Sequence, residues 1–565
     1  MFRRLCCILL LSTTFSCMHA HAGAVFWLGA GGAPCNFSTL AVALGAVPQG
    51  ATIRIAGNQL YTNINLAIAD QSVTLQGGWA DCAGTPSNER TIIEGAPGAN
   101  LPVLRVQAVG TARSVRLEHL QIRGGTRSGI EVDGPLDVRL DQTVVNDNSA
   151  VNGGGISVVG PSPAQTVLRL VHSIVGSPQP GIEPANSATG SGGGVSCTDA
   201  RVQLSSALVQ GNEAGFGGGL SLNACSLDAA GPALEVPGFP LLSALVIGNV
   251  ADFFGGGLYA VQASEIDLDT DDQPVTFHAN SAGRGGGIYL ESPGTYFHGA
   301  GITVSGNTAS SFGGGAYVEG GAFLALRRGA DGDTCTRGSA CSRIVDNEVA
   351  AAPTSGASAV QVTEASVVLD QTEVAGNISH ASQAAFYVTG GGLRLIDSLV
   401  HDNDAGTGNL FVLYQTDNHL TVSASTVARN VSASPAVRVA LSADTDTLYF
   451  DRGIFWQPGL LVHNAAAGDQ VTSVCMNAHA GAGIDDAVTD DPAFVDPDNG
   501  DFRLRADSPN VDACADVAAL GQGAIHVDIG GTVRPIALGN PVTPFDRGAH
   551  ELRDIIFANG FDPGA

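Results

Sequence analysis

Residues 283–290 read GRGGGIYL, a run of three glycines that leads into a short apolar stretch. The same arrangement recurs along the chain, and each copy starts with an asparagine that is followed by small residues and then by the glycine run. Clear copies start at Asn148, Asn186, Asn212, Asn249, Asn280 and Asn307, and weaker copies start at Asn347, Asn377, Asn403 and Asn430. Successive asparagines are 26 to 40 residues apart, a period typical of solenoid proteins.

A second pattern precedes each asparagine. It consists of a small residue or threonine, then valine or leucine two positions later, as in TVVNDN at 143–148 and TEVAGN at 372–377. Each period therefore contains two short alternating strands, a turn that ends in asparagine and a glycine turn, with no helical periodicity between them. Because one unit cannot bury its own apolar face, the units must stack on one another. The repeats predict an all-β solenoid of parallel strands, with coils about 4.8 Å apart.

Alternation along a strand divides the residues after each glycine run into inward and outward positions. The inward positions are predicted to form an apolar stack of Ile156, Val195, Leu220, Leu258 and Ile288. Asparagines at equivalent turns can hydrogen-bond from coil to coil as a ladder. Glycine fits where the backbone needs a positive φ or where coils approach closely. The glycine run is therefore interpreted as a recurring turn.

The outward position of the same strand carries several tyrosines. Along the repeats it holds Ser157, Ser196, Ser221, Tyr259, Tyr289, Tyr317, Gln361 and Tyr387. Three successive coils would thus present Tyr259, Tyr289 and Tyr317 in register. These rings can form a self-stacking ladder that stabilises the sheet face, or a flat platform for sugar rings or a partner protein. The second hypothesis makes the three tyrosines candidate glycan-binding residues.

The asparagine and Gly-Gly-Gly-Ile/Leu pattern resembles the repeats of polymorphic outer membrane proteins and of secreted pectate-lyase-like proteins over roughly residues 110 to 440. The chain departs from the first family, which has Gly-Gly-Ala and Phe-x-x-Asn tetrapeptides. Here the glycine run is Gly-Gly-Gly, and the nearest match to the second tetrapeptide is FHAN at 277–280. The resemblance implies a right-handed parallel β-helix.

The flanks resemble the ends of such proteins. Residues 35–56 indicate an N-terminal cap with a short helix, for which Asn36 or Ser38 is the expected N-cap, and residues 491–514 and 545–552 resemble C-terminal segments. Exposed solenoid ends need such caps because they would otherwise pair with other chains. The predicted division is a signal peptide at 1–22, an N-terminal cap with the first coils at 23–95, β-helix repeats at 96–460, C-terminal coils and cap at 461–552, and a tail at 553–565.

The first residues indicate export. Arg3 and Arg4 precede an apolar stretch too short to span a bilayer, and AHA at 20–22 fits a cleavage site before Gly23. A lipoprotein anchored through Cys17 is the alternative. No other stretch is apolar enough to cross a membrane, so the mature chain is expected to lack a transmembrane segment. We expect a secreted or cell-surface protein of a Gram-negative-type bacterium, with the periplasm as a further location.

Cleavage before Gly23 leaves eight of the 11 cysteines. An even number of cysteines in an exported chain predicts disulfides, and the chain lacks a Cys-x-x-Cys or Cys/His cluster for a metal. Proximity along the chain suggests the pairs Cys35–Cys82, Cys197–Cys225, Cys335–Cys341 and Cys475–Cys514.

Composition argues against several functions. The net charge of −27 makes nucleic acid an unfavourable partner, because phosphate binding needs a basic stripe. The chain has no lysine, which excludes Schiff-base chemistry and a P-loop lysine. Glycine-rich stretches such as GSGGGV at 190–195 do not lie between a strand and a helix, so a phosphate site is not predicted. The histidines are scattered without zinc-site spacing.

Polysaccharide cleavage is the activity most often implied by this resemblance. The Asn-Thr-Asp and Gly-His-Gly motifs of polygalacturonase-type hydrolases are absent, and Arg-Ile-Lys is impossible without lysine. No pattern singles out a lyase base, although Arg284 and Arg343 are imaginable in that role. We therefore predict a non-enzymatic binding or adhesin-like scaffold with an extracellular glycan or surface protein as partner. A polysaccharide lyase or glycoside hydrolase and a purely structural surface-layer component are the alternatives.

Two acidic turns are candidate calcium sites. DLDTDD supplies Asp267, Asp269 and Asp271, and DPDNGD supplies Asp496, Asp498 and Asp501. Calcium needs several carboxylate oxygens that converge from one loop, and neither stretch completes an EF-hand. A solvated acidic turn is the alternative interpretation. No other cofactor is predicted.

Overall fold

The computed structural model describes residues 25–28, 37–57, 60–80, 89–230, 244–269, 275–329, 341–350, 356–380, 384–415, 417–433, 436–440, 445–459, 461–463, 469–484, 487–514, 526–534 and 545–552.

Long parallel sheets wind around one apolar core, and the chain is a right-handed parallel β-helix, as the repeats predict. Each coil passes through sheets 1, 2 and 3 in turn, and a short sheet 4 leads into the glycine run and the next strand of sheet 1.

Sheet 1 contains the strands that follow six of the glycine runs, together with the equivalent strands of the other coils: Leu66–Ala69, Leu104–Gln107, Ile130–Asp133, Ile156–Val159, Val195–Thr198, Leu220–Asn223, Leu258–Val261, Ile288–Glu291, Ala316–Glu319, Ala357–Thr363, Ala384–Thr389, Phe411–Tyr414, Val437–Ala440 and Val462–His463. Sheet 2 contains Val25–Leu28, Ala51–Ala56, Val73–Trp79, Arg113–Glu118, Leu136–Asp141, Val167–Val171, Arg201–Ser205, Ser226–Ala229, Glu265–Asp269, Tyr296–Ala300, Phe323–Arg327, Ser366–Asp370, Gly392–Ile396, His419–Ser423, Thr447–Asp451 and Gln470–Val474.

Sheet 3 contains Leu60–Ile64, Thr91–Gly95, Leu120–Arg123, Val144–Val145, Ile174–Gly176, Ala207–Gln210, Ala244–Ile247, Val275–His278, Thr303–Ser305, Ser342–Val345, Thr372–Ala375, Leu399–His401, Thr426–Ala428, Ile454–Trp456 and Asn477–Ala478. Sheet 4 contains Ser149–Ala150, Ser187–Ala188, Glu213–Phe216, Val250–Phe254, Ser281–Arg284, Thr308–Phe312, Glu348–Val349 and Ile378–Ser379.

The predicted inward stack is confirmed. Its members pair with one another in register along sheet 1 and are fully buried: Ile156, Val195, Leu220, Leu258 and Ile288. The stack belongs to one continuous core that runs through the solenoid. Burial of apolar area of this kind is the main stabilising contribution to such a fold.

The predicted asparagine ladder is also confirmed. In each link, the side-chain nitrogen of one asparagine donates to the side-chain oxygen of the asparagine in the next coil at 2.8–3.0 Å. The ladder runs from Asn148 to Asn430, where the side chain of Gln457 accepts from the last backbone N–H at 3.0 Å. These amides are buried, and the mutual hydrogen bonds satisfy them without water.

Two glycines of the run at 285–287 illustrate why this residue type recurs. Gly285 has a φ of +61°, a conformation that L side chains rarely adopt. A Cβ added to Gly286 would lie 2.5 Å from the carbonyl oxygen of Thr308 and 2.6 Å from that of Gly314. The first position therefore forms the turn, and the second allows the next coil to approach.

A short helix, Leu40–Ala46, covers the first coil through Leu40, Ala43 and Leu44. The expectation of Asn36 or Ser38 as its N-cap is wrong, because the side chain of Thr39 accepts from the backbone N–H of Val42 at 3.2 Å. Threonine takes this role because its backbone is extended and its hydroxyl reaches the first turn. In the described ranges, no helix has both the length and the apolar character needed to cross a membrane.

The last coil is closed by residues 476–484 and 487–488, of which Met476, Ala478 and Ala482 join the core. Residues 491–514 and 545–552, which resemble C-terminal solenoid segments in sequence, do not stack on this last coil. They lie on the outer face of sheet 3. A hairpin of Phe494–Asp496 and Asp501–Leu504, joined by the 3₁₀ turn Pro497–Asn499, packs on the outer face of sheet 3.

The rest of this C-terminal segment continues along the same face. It includes the strand pair His526–Val527 and Val533–Arg534, and the described residues 545–552. Ile529 and Ala549 pack with Leu399 and Ile454 of sheet 3. We define residues 489–514, 526–534 and 545–552 as the C-terminal segment. It docks here because these coils present apolar side chains outward as well as inward.

Two of the predicted disulfides are confirmed, Cys197–Cys225 and Cys475–Cys514. Cys341 is also disulfide-bonded. Its expected partner Cys335 and the predicted pair Cys35–Cys82 lie outside the described residues. Disulfides of this kind are typical of exported proteins.

Candidate functional site

The predicted column of outward residues exists in the structure. Ser157, Ser196, Ser221, Tyr259, Tyr289, Tyr317, Gln361 and Tyr387 pair in register along sheet 1. The rings of Tyr259 and Tyr289 are 5.6 Å apart, and those of Tyr289 and Tyr317 are 5.2 Å apart. However, Tyr289 is 0% exposed and Tyr317 is 6% exposed, while Tyr259 is half-buried. The three tyrosines thus form a packed ladder.

Phenylalanines that directly precede the glycine runs cover this ladder. Phe254 stacks on Tyr289 with ring centroids 4.6 Å apart and nearly parallel planes, and Phe216 lies 5.5 Å from Tyr259. The guanidinium of Arg284 lies 5.5 Å from the ring of Phe254 and 5.2 Å from the ring of Phe312. Sequence reasoning missed these positions, although an aromatic residue or arginine before Gly-Gly-Gly was a visible signal.

The tyrosine hydroxyls point to acceptors on neighbouring coils. That of Tyr289 donates to Glu319, and that of Tyr259 lies 3.4 Å from Glu291. Burial, together with the hydrogen bond to Glu319, raises the pKa of Tyr289, so this phenol stays protonated as a donor. The ladder therefore satisfies its polar atoms internally.

In the predicted calcium turn DPDNGD, each acid contacts a different partner. Asp498 contacts Arg429, Asp501 contacts Arg503, and the Asp496 carboxylate accepts from the side chain of Asn499 at 2.7 Å. In the other turn, Asp267 is exposed on its strand, the side chain of Asp269 is outside the description, and Asp271 lies outside the described residues. No group of three or more metal-ligating side chains occurs in the part of the chain that the structure describes. Calcium binding stays a prediction.

An open groove of about 650 Å³ lies on the outer face of sheet 2, where five consecutive strands cross it. Its floor is made of small or short side chains, since Ser366 and Gly392 pair side by side in register. Val368 and Thr421 continue the floor. The groove exists because Gly392 leaves an outward position without a side chain, between larger residues on either side.

One end of the groove carries an aromatic cluster. Tyr296 and Phe323 occupy paired positions on adjacent strands, with ring centroids 6.2 Å apart. The imidazole of His298 lies 6.4 Å from Tyr296 and 5.7 Å from Phe323. Tyr296 is 46% exposed, His298 is exposed and Phe323 is half-buried. This cluster therefore offers accessible ring surface, whereas the tyrosine ladder of sheet 1 does not.

Polar and charged groups line the rest of the groove. Arg394 and His419 rise from its floor, and Glu364 and Asp417 lie at the turns along one side. Just beyond the groove, burial raises the pKa of Asp370 to about 6, against the opposing effect of Arg327 and Arg394. The groove combines ring surface, hydroxyls and both signs of charge.

The sequence contained one signal for this groove. TGGGLRL at 389–395 is a glycine run that leads into sheet 2, whereas the other runs lead into sheet 1. That shift places Gly392 in the middle of a sheet face. The aromatic cluster had no such signal, because Tyr296 and Phe323 are separated by a whole coil.

No family model and no curated protein matches the sequence. Among solved structures, the A-module of the mannuronan C-5 epimerase AlgE4 from Azotobacter vinelandii is similar over 78% of this chain and 90% of that chain. The sequence identity is 10% and the TM-score is 0.21, values too low to bear on function. The sheets themselves define the class: a parallel β-helix with an aromatic-lined groove on one outer face.

Proposed function

We propose that the protein is an exported, non-enzymatic β-helix that binds a glycan in the groove of sheet 2 as a secreted or surface-attached, adhesin-like scaffold. The observation that carries the proposal is the exposed cluster of Tyr296, His298 and Phe323 at the end of the groove. Exposed apolar patches rimmed by polar groups mark interaction sites.

The mixture of groups in the groove favours a sugar over a purely apolar ligand. A sugar ring has an apolar face that packs on an aromatic ring and a rim of hydroxyls that both donate and accept hydrogen bonds. Ser366, Thr421 and the charged side chains around them supply partners for such hydroxyls. A few polar groups that converge beside an apolar surface are typical of small-molecule sites.

The groove also favours a chain of sugars over a single one. It crosses five strands that repeat about every 4.8 Å, so a polymer lying across the strands meets similar surface at each coil. The disulfides support export, since such bonds persist in oxidising compartments. A Gram-negative-type cell surface, the medium and the periplasm are all consistent with this.

The experiment is binding of the full chain to a glycan array, followed by titration of the best ligands. Replacement of Tyr296 and Phe323 together by alanine is expected to weaken binding about tenfold or more, because burying an aromatic ring contributes about 1.5–3 kcal/mol. Phe253→Ala is the matched control, since this ring is 53% exposed but lies in sheet 4, away from the groove. Equal affinities for the double variant and the wild type would reject the proposal.

A polysaccharide lyase or hydrolase is the second candidate, and Asp370 is the observation that favours it. A carboxyl with a pKa of about 6 beside two arginines on neighbouring strands is suited to proton transfer. Incubation with acidic polysaccharides, monitored for unsaturated products and for new reducing ends, tests this candidate. A signal that disappears in Asp370→Asn would establish catalysis. If the protein binds a polysaccharide but forms neither unsaturated products nor new reducing ends, the non-enzymatic scaffold is retained as the function.

A further inference from the structure

A second pocket lies on the outer face of sheet 3, on a different face of the rod from the groove of sheet 2. It measures about 310 Å³ and lies between the hairpin of the C-terminal segment and the strands Thr426–Ala428 and Ile454–Trp456. Pockets that hold drug-sized molecules measure about 300–1,000 Å³. A pocket at the lower end of this range has room for a ligand with a single ring.

The pocket exists because a small residue separates two large ones along one column of sheet 3. His401, Ala428 and Trp456 pair in register on successive strands. The ring of Phe502 in the hairpin covers the imidazole of His401, with ring centroids 4.9 Å apart. The side chain of Ala428 ends at Cβ, so the space between the hairpin and Trp456 stays unfilled.

Aromatic rings form much of the pocket wall. Trp456 is half-buried, and its indole packs on the imidazole of His479 with ring centroids 5.3 Å apart. Phe494 and Phe502 of the hairpin also line the pocket, and their rings are 5.3 Å apart. The contact with His479 limits rotation of the indole. Trp456 therefore offers a preformed flat surface, which lowers the entropic cost of binding.

Two arginines supply hydrogen-bond donors to the pocket. Arg429 lies 3.0 Å from Asp402 and also contacts Asp498, and Arg505 lies 2.8 Å from Asp507. A guanidinium has five N–H groups, so these contacts do not use all of its donors. Because exposed ion pairs contribute little to stability, the two side chains can adjust to a ligand at small cost.

Asp491 supplies hydrogen-bond acceptors to the same pocket. One of its carboxylate oxygens accepts from the backbone N–H of Ala493 at 2.9 Å. A carboxylate has several acceptor sites, so it can accept further bonds from a ligand. The acidic partners of the two arginines balance their charge, and Asp491 adds a negative charge. The pocket therefore has no excess of positive charge that would favour an anion.

This lining favours a neutral molecule that is apolar on one face and polar around its edge. A wholly apolar ligand would bury guanidinium N–H groups and a carboxylate without partners, which costs free energy. A small polar ligand without an apolar face would not use the aromatic wall. A sugar ring meets both requirements, because its C–H groups pack on an indole and its hydroxyls both donate and accept hydrogen bonds.

We propose that this pocket binds one neutral sugar residue, whose ring packs on Trp456 and whose hydroxyls bond to the two arginines and to Asp491. One ring makes fewer contacts than a chain of sugars, so the affinity is expected to lie in the millimolar range. The groove of sheet 2 is a separate site, and the proposal does not depend on what that groove binds.

Fluorescence titration of the full chain tests the site, because Trp456 is one of 3 tryptophans. The probes are the methyl glycosides of glucose, galactose, mannose and N-acetylglucosamine. At least one of them is expected to change the emission saturably, and this change should be absent in Trp456→Phe. The proposal is overturned if none of the four causes a saturable change, or if the change persists in Trp456→Phe. Tighter binding of glucuronate than of methyl glucoside would contradict the choice of a neutral ligand.

The same titration in the double variant Tyr296→Ala, Phe323→Ala separates this site from the groove. The response is expected to stay unchanged, because neither ring lines the pocket on sheet 3. Loss of the response in this variant would assign the sugar to the groove and overturn the proposal. Failure of the groove to bind glycans would leave the result at Trp456 as it is, so the two proposals can fail separately.

Two arginines of the hairpin provide matched variants. The side chains of Arg503 and Arg505 are each 56% exposed, and each contacts an acid close by in sequence, Asp501 and Asp507 respectively. Of the two, Arg505 alone lines the pocket. Arg505→Ala is expected to weaken binding of the best glycoside about threefold to tenfold, the factor that one ordinary hydrogen bond supplies, and Arg503→Ala should leave it unchanged. Equal affinities in the two variants would contradict the proposal.

Discussion

Asn280 and Asn307 lie one coil apart, and the side-chain nitrogen of Asn280 donates to the side-chain oxygen of Asn307 at 3.0 Å. The same nitrogen donates to the carbonyl oxygen of Val246 at 3.0 Å, and the side-chain oxygen of Asn280 accepts two hydrogen bonds from Asn249. Each asparagine thus satisfies buried groups on both neighbouring coils. The ladder works as a continuous polar spine inside an apolar fold.

Asn280→Ala is expected to lower the free energy of unfolding by about 2 kcal/mol or more, because it removes the acceptor of the backbone and side-chain N–H groups of Asn249 and one of the two donors to the side-chain oxygen of Asn307. Chemical denaturation checks this. Asn152→Ala is the control, since this exposed residue accepts a single hydrogen bond, from the backbone of Ser191. Similar losses in both variants would argue against the ladder as a stabilising element.

Gly286→Ala is expected to destabilise the protein by about 2 kcal/mol or more, because its Cβ would collide with the backbone of the next coil, which cannot move independently. Gly45→Ala provides the opposite case. Its Cβ would meet nothing within 4 Å, and it lies in the helix Leu40–Ala46, where alanine is favoured over glycine by up to about 1 kcal/mol. Thermal unfolding of both variants should therefore shift in opposite directions.

Gly392→Phe is expected to abolish glycan binding in the groove while the fold stays intact. The nearest atoms to a Cβ at this position are 3.7 Å away or more, so a side chain can be accommodated, but it would project into the groove. The affinity for the best array ligand and the circular dichroism spectrum measure the two effects. Ser226→Phe, on the same column of sheet 2 but outside the groove, should retain full affinity.

Asp370→Asn is expected to stabilise the protein at about pH 8 but not at about pH 4. Burial raises the pKa of Asp370 from 3.8 to about 6, so the folded state favours the protonated carboxyl and loses stability as pH rises through this window. An uncharged amide avoids this loss, which amounts to about 1–3 kcal/mol. Unfolding curves at the two pH values provide the test. The exposed Asp417→Asn should show no such difference, and a pH-independent effect at residue 370 would contradict the mechanism.

The repeats made much of the fold predictable, because side chains along a strand point alternately inward and outward. The glycine run before a strand fixes which of its positions point inward. That phase correctly placed Ile288 inside and Tyr289 on the outer face of sheet 1. It could not show that Phe254 of the preceding turn folds back over Tyr289. Turn conformation depends on packing that the alternation of a single strand does not encode.

The groove escaped prediction for a related reason. Tyr296, Phe323 and Gly392 belong to different coils, and the turns between those coils differ in length. Sequence spacing therefore does not give the register of sheet 2 across them. The docking of Phe502 on His401 joins residues about a hundred positions apart, and no repeat relates them.

The C-terminal segment also changes the order in which the rod can come apart. Along the described sheets each strand pairs with strands of the adjacent coils, but the C-terminal segment bonds to Arg328, Asp397 and Thr426 of separate coils, and Arg547 reaches back to Cys475. It thus acts as a splint that fastens the final third of the rod into one mechanical unit. Under tension the solenoid should unravel coil by coil from its N-terminal end, while the splinted end yields in a single larger step.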